Sequence, residues 1–282
     1  MRWQGRRQSE NVEDRRNVGQ QVVVGGGLLT LVVMAVMMFL GADPQQVAQI
    51  APDLAGPQRQ KQAAPADDKR TQFVKTVLAD TEDVWGKLFP SFTGRRYTPP
   101  VLVLFSGQVK SACGFASAAA GPFYCPLDKK VYIDLAFYDE LTRRFKAPGE
   151  FAQAYVVAHE IGHHIQNQLG ISTKVQSLQT RLSKSDYNRM SVRMELQADF
   201  LAGVWAHHVA RYAGILDEND IKAAVNAAAA IGDDRIQKMS QGYIVPDAFT
   251  HGSSEQRVRW FLYGLKTGDP NLMDRAFEVD NP

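Results

Sequence analysis

The chain has 282 residues, 45% of them apolar and 22% charged, with a formal net charge of +2. That length and composition fit one or two folded domains and exclude a chain that is disordered throughout. The near-neutral balance lacks the basic excess of a nucleic-acid-binding protein, so no nucleic-acid partner is expected.

The basic residues gather instead at the N-terminus, where Arg2, Arg6, Arg7, Arg15 and Arg16 precede a long apolar run. Residues 1–17 therefore read as a basic cytoplasmic tail and residues 18–41 as a transmembrane helix. From Val22 to Leu40 nineteen residues carry no charge, enough at about 1.5 Å per residue to cross about 30 Å of hydrocarbon. A cleaved signal peptide is the alternative, but its apolar core is typically about 7–15 residues long. Because positive charge is retained on the cytoplasmic side, the arginines predict a single-pass protein of the cell inner membrane. Its N-terminus would be cytoplasmic and the bulk of the chain periplasmic or extracellular. Cys113 and Cys125 agree with that placement: in an oxidising compartment a bridge closing so short a loop contributes about 3 kcal/mol. Two buried free thiols are the competing reading.

Residues 42–70, rich in Pro, Gln, Ala and Asp, read as a flexible linker, and residues 71–282 as the folded domain. Phe73, Val77, Val84 and Leu88 have helical spacing, with Pro90 ending the helix. The stretches "PPVLVLFSG" and "KVYIDLAFYDEL" read as strands, with the cysteine stretch between them offering a third. Beyond Gly149 the chain turns helical. "EFAQAYVVAHEIGHHIQNQLG" is closed at Gly170, a longer helix ends at Gly214, Asp217 caps the next, and Ser253 with Gln256 has capping-box spacing before the last. Strands first and helices later predict a mostly helical α+β domain with one small β-sheet.

The chemistry lies in "AHEIGHHIQ". On a helix His159 and His163 are one turn apart and share a face, so both can reach one ion. Zinc takes two imidazoles and a third protein ligand while leaving a position open for water. Glu160 points about 100° away and is placed to accept a proton from that water. In "RMELQADFLAGVW" the acids Glu195 and Asp199, spaced i, i+4 in an apolar helix, supply a third ligand and an orienter for a ligand histidine. The alternative pairs Glu195 with Arg189 or Arg193.

"HEIGHHIQ", "ELQADFLAGVW" and "FTHGSSEQRVRWF" together resemble the bacterial membrane-anchored neutral zinc metallopeptidase family and, more distantly, the gluzincins. The resemblance implies a zincin-like fold and a zinc endopeptidase acting on peptides or proteins. It implies His159, His163 and Glu195 as Zn²⁺ ligands, Glu160 as the base and Asp199 behind a histidine. The stretch from His163 to Glu195 is longer than in the thermolysin pattern. His251 precedes a predicted helix N-terminus, where the dipole disfavours imidazolium. It reads either as a donor to a developing oxyanion, the part a later histidine plays in gluzincins, or as a loop histidine. Tyr243 is a weaker candidate for that part. Arg257 is expected to hold the motif in place, and His164, His207 and His208 to stand outside the metal site. An extended substrate is expected on a sheet edge near Cys113 to Ser117. The competing function is a zinc-stabilised, catalytically idle binding or chaperone-like envelope protein.

Overall fold

The computed structural model describes residues 1–16, 68–118 and 121–279. The proposed span and most of the linker lie outside the described residues. Among those described, no helix is long and apolar enough to cross a membrane.

A four-stranded sheet is built from β1 (Val12–Asp14), β2 (Val101–Phe105), β6 (Lys130–Asp134) and β5 (Phe123–Cys125), in the order β1-β2-β6-β5. β1 and β6 run parallel to β2, and β5 runs antiparallel to β6. Between β2 and β5 the hairpin of β3 (Gln108–Ser111) and β4 (Gly114–Ser117) stands apart from this sheet. Cys113 and Cys125 form the expected disulfide, which ties the hairpin to β5. β2 and β6 alternate little because both faces are covered, as buried parallel strands require.

α1 (Lys69–Thr93) is capped by Asp68, whose carboxylate accepts from Thr71 N at 2.8 Å. The opening helix thus starts at Lys69, slightly ahead of the expected Thr71. Pro90 does not end the helix. It sits in the last turn, where only one main-chain bond is forfeited, and the stop comes at Gly94 in the left-handed conformation. α2 (Phe137–Arg143) takes over where the second strand was expected to continue. α3 (Glu150–Gln168), α4 (Ile171–Gln176), α5 (Lys184–Ala213), α6 (Glu218–Ala230), α7 (Asp233–Gln241), α8 (Ser254–Thr267) and α9 (Arg275–Glu278) follow. The caps read from the sequence at Gly214, Asp217 and Ser253 are present. The sequence reading offers no counterpart to α7, whose nine residues are mostly polar. α5 and α8 cross at glycines: a methyl group on Gly203 would meet the Phe261 carbonyl oxygen at 2.1 Å, and one on Gly264 the Phe200 carbonyl oxygen at 2.0 Å. The fold is therefore mostly helical α+β, with α3 and α5 at the centre of the core.

The N-terminal residues depart from the tail expected of them. Met1–Asp14 belong to the same compact unit as Ala66–Pro282. Trp3 is buried edge-on against Phe73, and Arg6 pairs with Asp80. Arg7 reaches Glu82 at 3.0 Å and Asp83 at 2.7 Å. Two of the five arginines counted from the sequence as topological charge, Arg6 and Arg7, are thus paired with an acidic stretch of α1.

Candidate metal centre and cleft

Two helices make the centre. On α3 the spacing of His159 and His163 brings both imidazoles to the side facing α5, and Gly162 between them lets the helices close. A Cβ at Gly162 would lie 2.9 Å from both the Cα and the carbonyl oxygen of Ala198. Close approach at Gly162 puts Glu195 across from the histidines. His159 Nε2 is 3.1 Å from Glu195 Oε2, and His163 Nε2 is 3.4 Å from Glu195 Oε1. One ligand atom from each of the three residues lies within 4.8 Å of the other two. Glu195 takes these partners rather than Arg189 or Arg193, which bond elsewhere.

Behind the first histidine, Asp199 accepts from His159 Nδ1 at 2.9 Å. Arg257 from α8 grips the same carboxylate with two donors, Nε at 2.8 Å and Nη2 at 3.1 Å, and the Tyr155 hydroxyl donates to it as well. Asp199 and Arg257 are buried, so neither charge would persist without the other. Arg257 does hold the motif, as expected. His163 Nδ1 faces Gln166 Oε1 at 2.9 Å.

Burial opposes charge throughout this cluster, and the partners overcome it. Asp199 and Glu195 outweigh burial at His159 and hold its pKa at about 10. Glu195 raises His163 in the same sense. The imidazoles hold the Glu195 carboxyl well below its usual range, and Arg257 with His159 holds Asp199 down. The donor set also fits a dication. Three carboxylates, Glu160, Glu195 and Asp199, stand with one guanidinium, and with neutral imidazoles this leaves a formal charge of −2 for an ion to balance.

A cleft of about 630 Å³ opens over these residues. Glu160 lines it, and no side chain among the described residues hydrogen-bonds its carboxylate. Phe123 and Tyr124 of β5 form one wall, and Phe137, Phe145, Val156 and Ile236 add apolar surface. The sheet edge bordering the cleft is therefore β5 rather than the segment Cys113 to Ser117, because β4 pairs with β3 outside the main sheet.

His251 lines the cleft too, and the structure supplies a partner that sequence reasoning missed. Asp233 accepts from His251 Nδ1 at 3.1 Å and from the main-chain N–H groups of Thr250 and His251 at 2.6 Å each. The hydrogen bond to Asp233 raises the His251 pKa, with burial opposing it. The helix-dipole expectation of a disfavoured imidazolium is thus reversed by a carboxylate eighteen residues earlier in the chain. Asp233 in "IGDDRI" carries no motif, so only the fold reveals it. Tyr243 is exposed and outside the cleft, while Tyr187 lines it, two turns before Glu195 on α5.

His164 stands apart from the ion site. Its Nε2 faces the Thr98 carbonyl at 2.7 Å and its Nδ1 the Tyr124 hydroxyl at 3.0 Å, which links α3 to β5. Burial lowers its pKa to about 4. His207 and His208 face the main-chain carbonyls of Leu265 and Gly268.

Comparison with known proteins places the chain in a family. A family model described as "Putative neutral zinc metallopeptidase" matches residues 1–276. "Uncharacterized protein YpfJ" of Escherichia coli (strain K12) is 46% identical over 280 residues, covering 96% of each chain. "Uncharacterized protein Mb2605" of Mycobacterium bovis is 41% identical over 261 residues, covering 86% of each. No solved structure matches. The chain belongs to this neutral zinc metallopeptidase family.

Proposed function

We propose that the protein is a membrane-attached zinc endopeptidase in which His159, His163 and Glu195 hold the metal and Glu160 is the general base. The observation that carries the reading is the convergence of those three ligands on one point beside a free carboxylate in an open cleft. Zinc bound there would polarise a scissile carbonyl and make water acidic enough to be deprotonated near neutral pH. Glu160 accepts that proton and returns it to the leaving amine. Asp199 keeps His159 Nδ1 protonated, so that Nε2 faces the metal side. His251, whose cationic form Asp233 favours, donates to the oxyanion as charge develops, and Tyr187 offers a hydroxyl on the cleft.

A peptide fits as an added strand along the outer edge of β5, with side chains against Phe137, Phe145 and Val156. Attachment through residues 18–41 and placement of the catalytic unit outside the cytoplasm are part of the same proposal. The Cys113–Cys125 bridge supports them, since such bonds persist in oxidising compartments. The test is digestion of a peptide mixture by wild type and Glu160→Gln, both loaded with zinc. Loss of cleavage with zinc retained is expected. Equal cleavage by the variant contradicts the assigned base, and no cleavage by either favours the idle binding protein.

A further inference from the structure

The two histidines differ in what holds their far nitrogen. His159 Nδ1 meets a carboxylate that is itself pinned by Arg257, whereas His163 Nδ1 meets the side-chain oxygen of Gln166. A glutamine amide can turn either its oxygen or its NH₂ toward a ring, so alone it fixes no tautomer. At Gln166 the choice is made elsewhere. Its Nε2 lies 2.7 Å from the main-chain carbonyl of Met194, an atom that can only accept, so the NH₂ group must be on that side. The second hydrogen of that group goes to Gln197 Oε1 at 3.0 Å.

Gln197 is oriented by the same logic. Its Nε2 donates to the Met273 carbonyl at 3.2 Å and to Asp274 Oδ1 at 3.3 Å. Both glutamines are fully buried, so water cannot stand in for a lost partner. Two main-chain carbonyls on separate elements therefore set the polarity of both amides, and what remains for His163 is an acceptor. Its Nδ1 must carry the hydrogen, and the lone pair of the neutral ring is left on Nε2, the atom 3.4 Å from Glu195.

We propose that Gln166 is a positioning residue for the metal ligand His163, acting through an amide whose direction Met194 fixes and Gln197 supports. This rests on the metallopeptidase reading above. A neutral amide also suits the charge of the site: a carboxylate in its place would add a fourth negative charge and would face the Met194 carbonyl and Gln197 Oε1.

Zinc affinity of the full-length chain, by competition with a chromophoric chelator, tests the proposal, with cobalt(II) absorption spectra alongside. Gln166→Met is expected to weaken zinc binding about 10–100-fold and to shift the cobalt bands, as loss of an outer-shell partner does. Gln197→Met orphans buried partners in the same way but leaves the Met194 carbonyl to direct Gln166. Both variants should lower the melting temperature of the metal-free protein, while Gln197→Met loses far less zinc affinity and keeps the cobalt spectrum. Unchanged affinity in Gln166→Met overturns the proposal, and so does an equal loss in both variants, which would mark a packing effect. A wild-type chain that takes up no zinc overturns the metallopeptidase reading itself, and zinc bound without peptide cleavage overturns only the activity.

Discussion

Gly162 and Ala198 meet so closely that a single methyl group on Gly162 would sit 2.9 Å from the Ala198 backbone. That contact sets how near the histidine helix comes to the helix bearing Glu195. Gly162→Ala must force α3 and α5 apart, and overpacking of this kind costs about 1–3 kcal/mol. The expected outcome is a lower urea midpoint together with weaker zinc binding. A variant that loses stability while its zinc affinity stays at the wild-type value would show that the glycine serves packing alone.

His251 and Asp233 make a pH prediction. The hydrogen bond to Asp233 raises the His251 pKa above the usual histidine value, so the cation survives to higher pH and activity should fall as pH rises through that raised value. Asp233→Asn removes the cause and moves the alkaline limb of kcat/KM to lower pH. His251→Ala should cut kcat by about 100-fold, the scale of a lost oxyanion donor. An unmoved alkaline limb in Asp233→Asn contradicts the pairing.

Metal uptake should release protons. In the ion-free cluster the pKa of His159 stands at about 10 and that of His163 is also raised, so both imidazoles hold their protons to higher pH than a free histidine does. Ligation needs them neutral, so zinc binds more tightly as pH rises toward those raised values and more weakly as it falls. Calorimetry in buffers of different ionisation enthalpy checks this, with net proton release on zinc binding expected and none contradicting it.

The Cys113–Cys125 bridge closes a short loop and anchors β5, whose Tyr124 bonds His164 and Asn167 of α3. Replacing both cysteines by alanine should cost about 3 kcal/mol in urea unfolding. If β5 receives the substrate, KM rises more than kcat falls. Unchanged KM would remove β5 from the binding surface.

The docked N-terminal residues constrain topology. Crossing of a membrane by residues 22–40 and packing of Trp3 against Phe73 are mutually exclusive, since the crossing would put the two residues on opposite sides. With the head docked, residues 1–14 lie in the same compartment as the cleft. A cysteine at exposed Gln8 should then react in intact cells with a maleimide that cannot cross the membrane. Protection of that cysteine until lysis would show that the head leaves its site on α1, and Trp3→Ala would then leave the melting temperature unchanged.

Much of the centre was legible in the sequence because its geometry is local. The i, i+4 spacing of His159 with His163, and of Glu195 with Asp199, needs only a helix to put each pair on one face, where the proposed ligands and orienter stand. The capping residues Asp217 and Ser253 act within three positions of themselves, and they too read correctly. What sequence reasoning missed is made by contacts distant along the chain. Asp233 meets His251 through a turn between α7 and α8, and Gln166 gains its role from carbonyls on α5 and near the C-terminus. The docking of the basic head was missed for the same reason: Arg6 and Arg7 meet Asp80, Glu82 and Asp83, which lie 74 to 76 positions further along the chain.

The central claim is that His159, His163 and Glu195 together hold one zinc ion. Elemental analysis of the purified full-length chain, in wild type and Glu195→Ala, tests it most directly. One zinc per wild-type chain, lost in the variant while its circular dichroism is preserved, is the predicted result. Zinc retained at full stoichiometry in Glu195→Ala, or absent from the wild type after incubation with zinc, would contradict it.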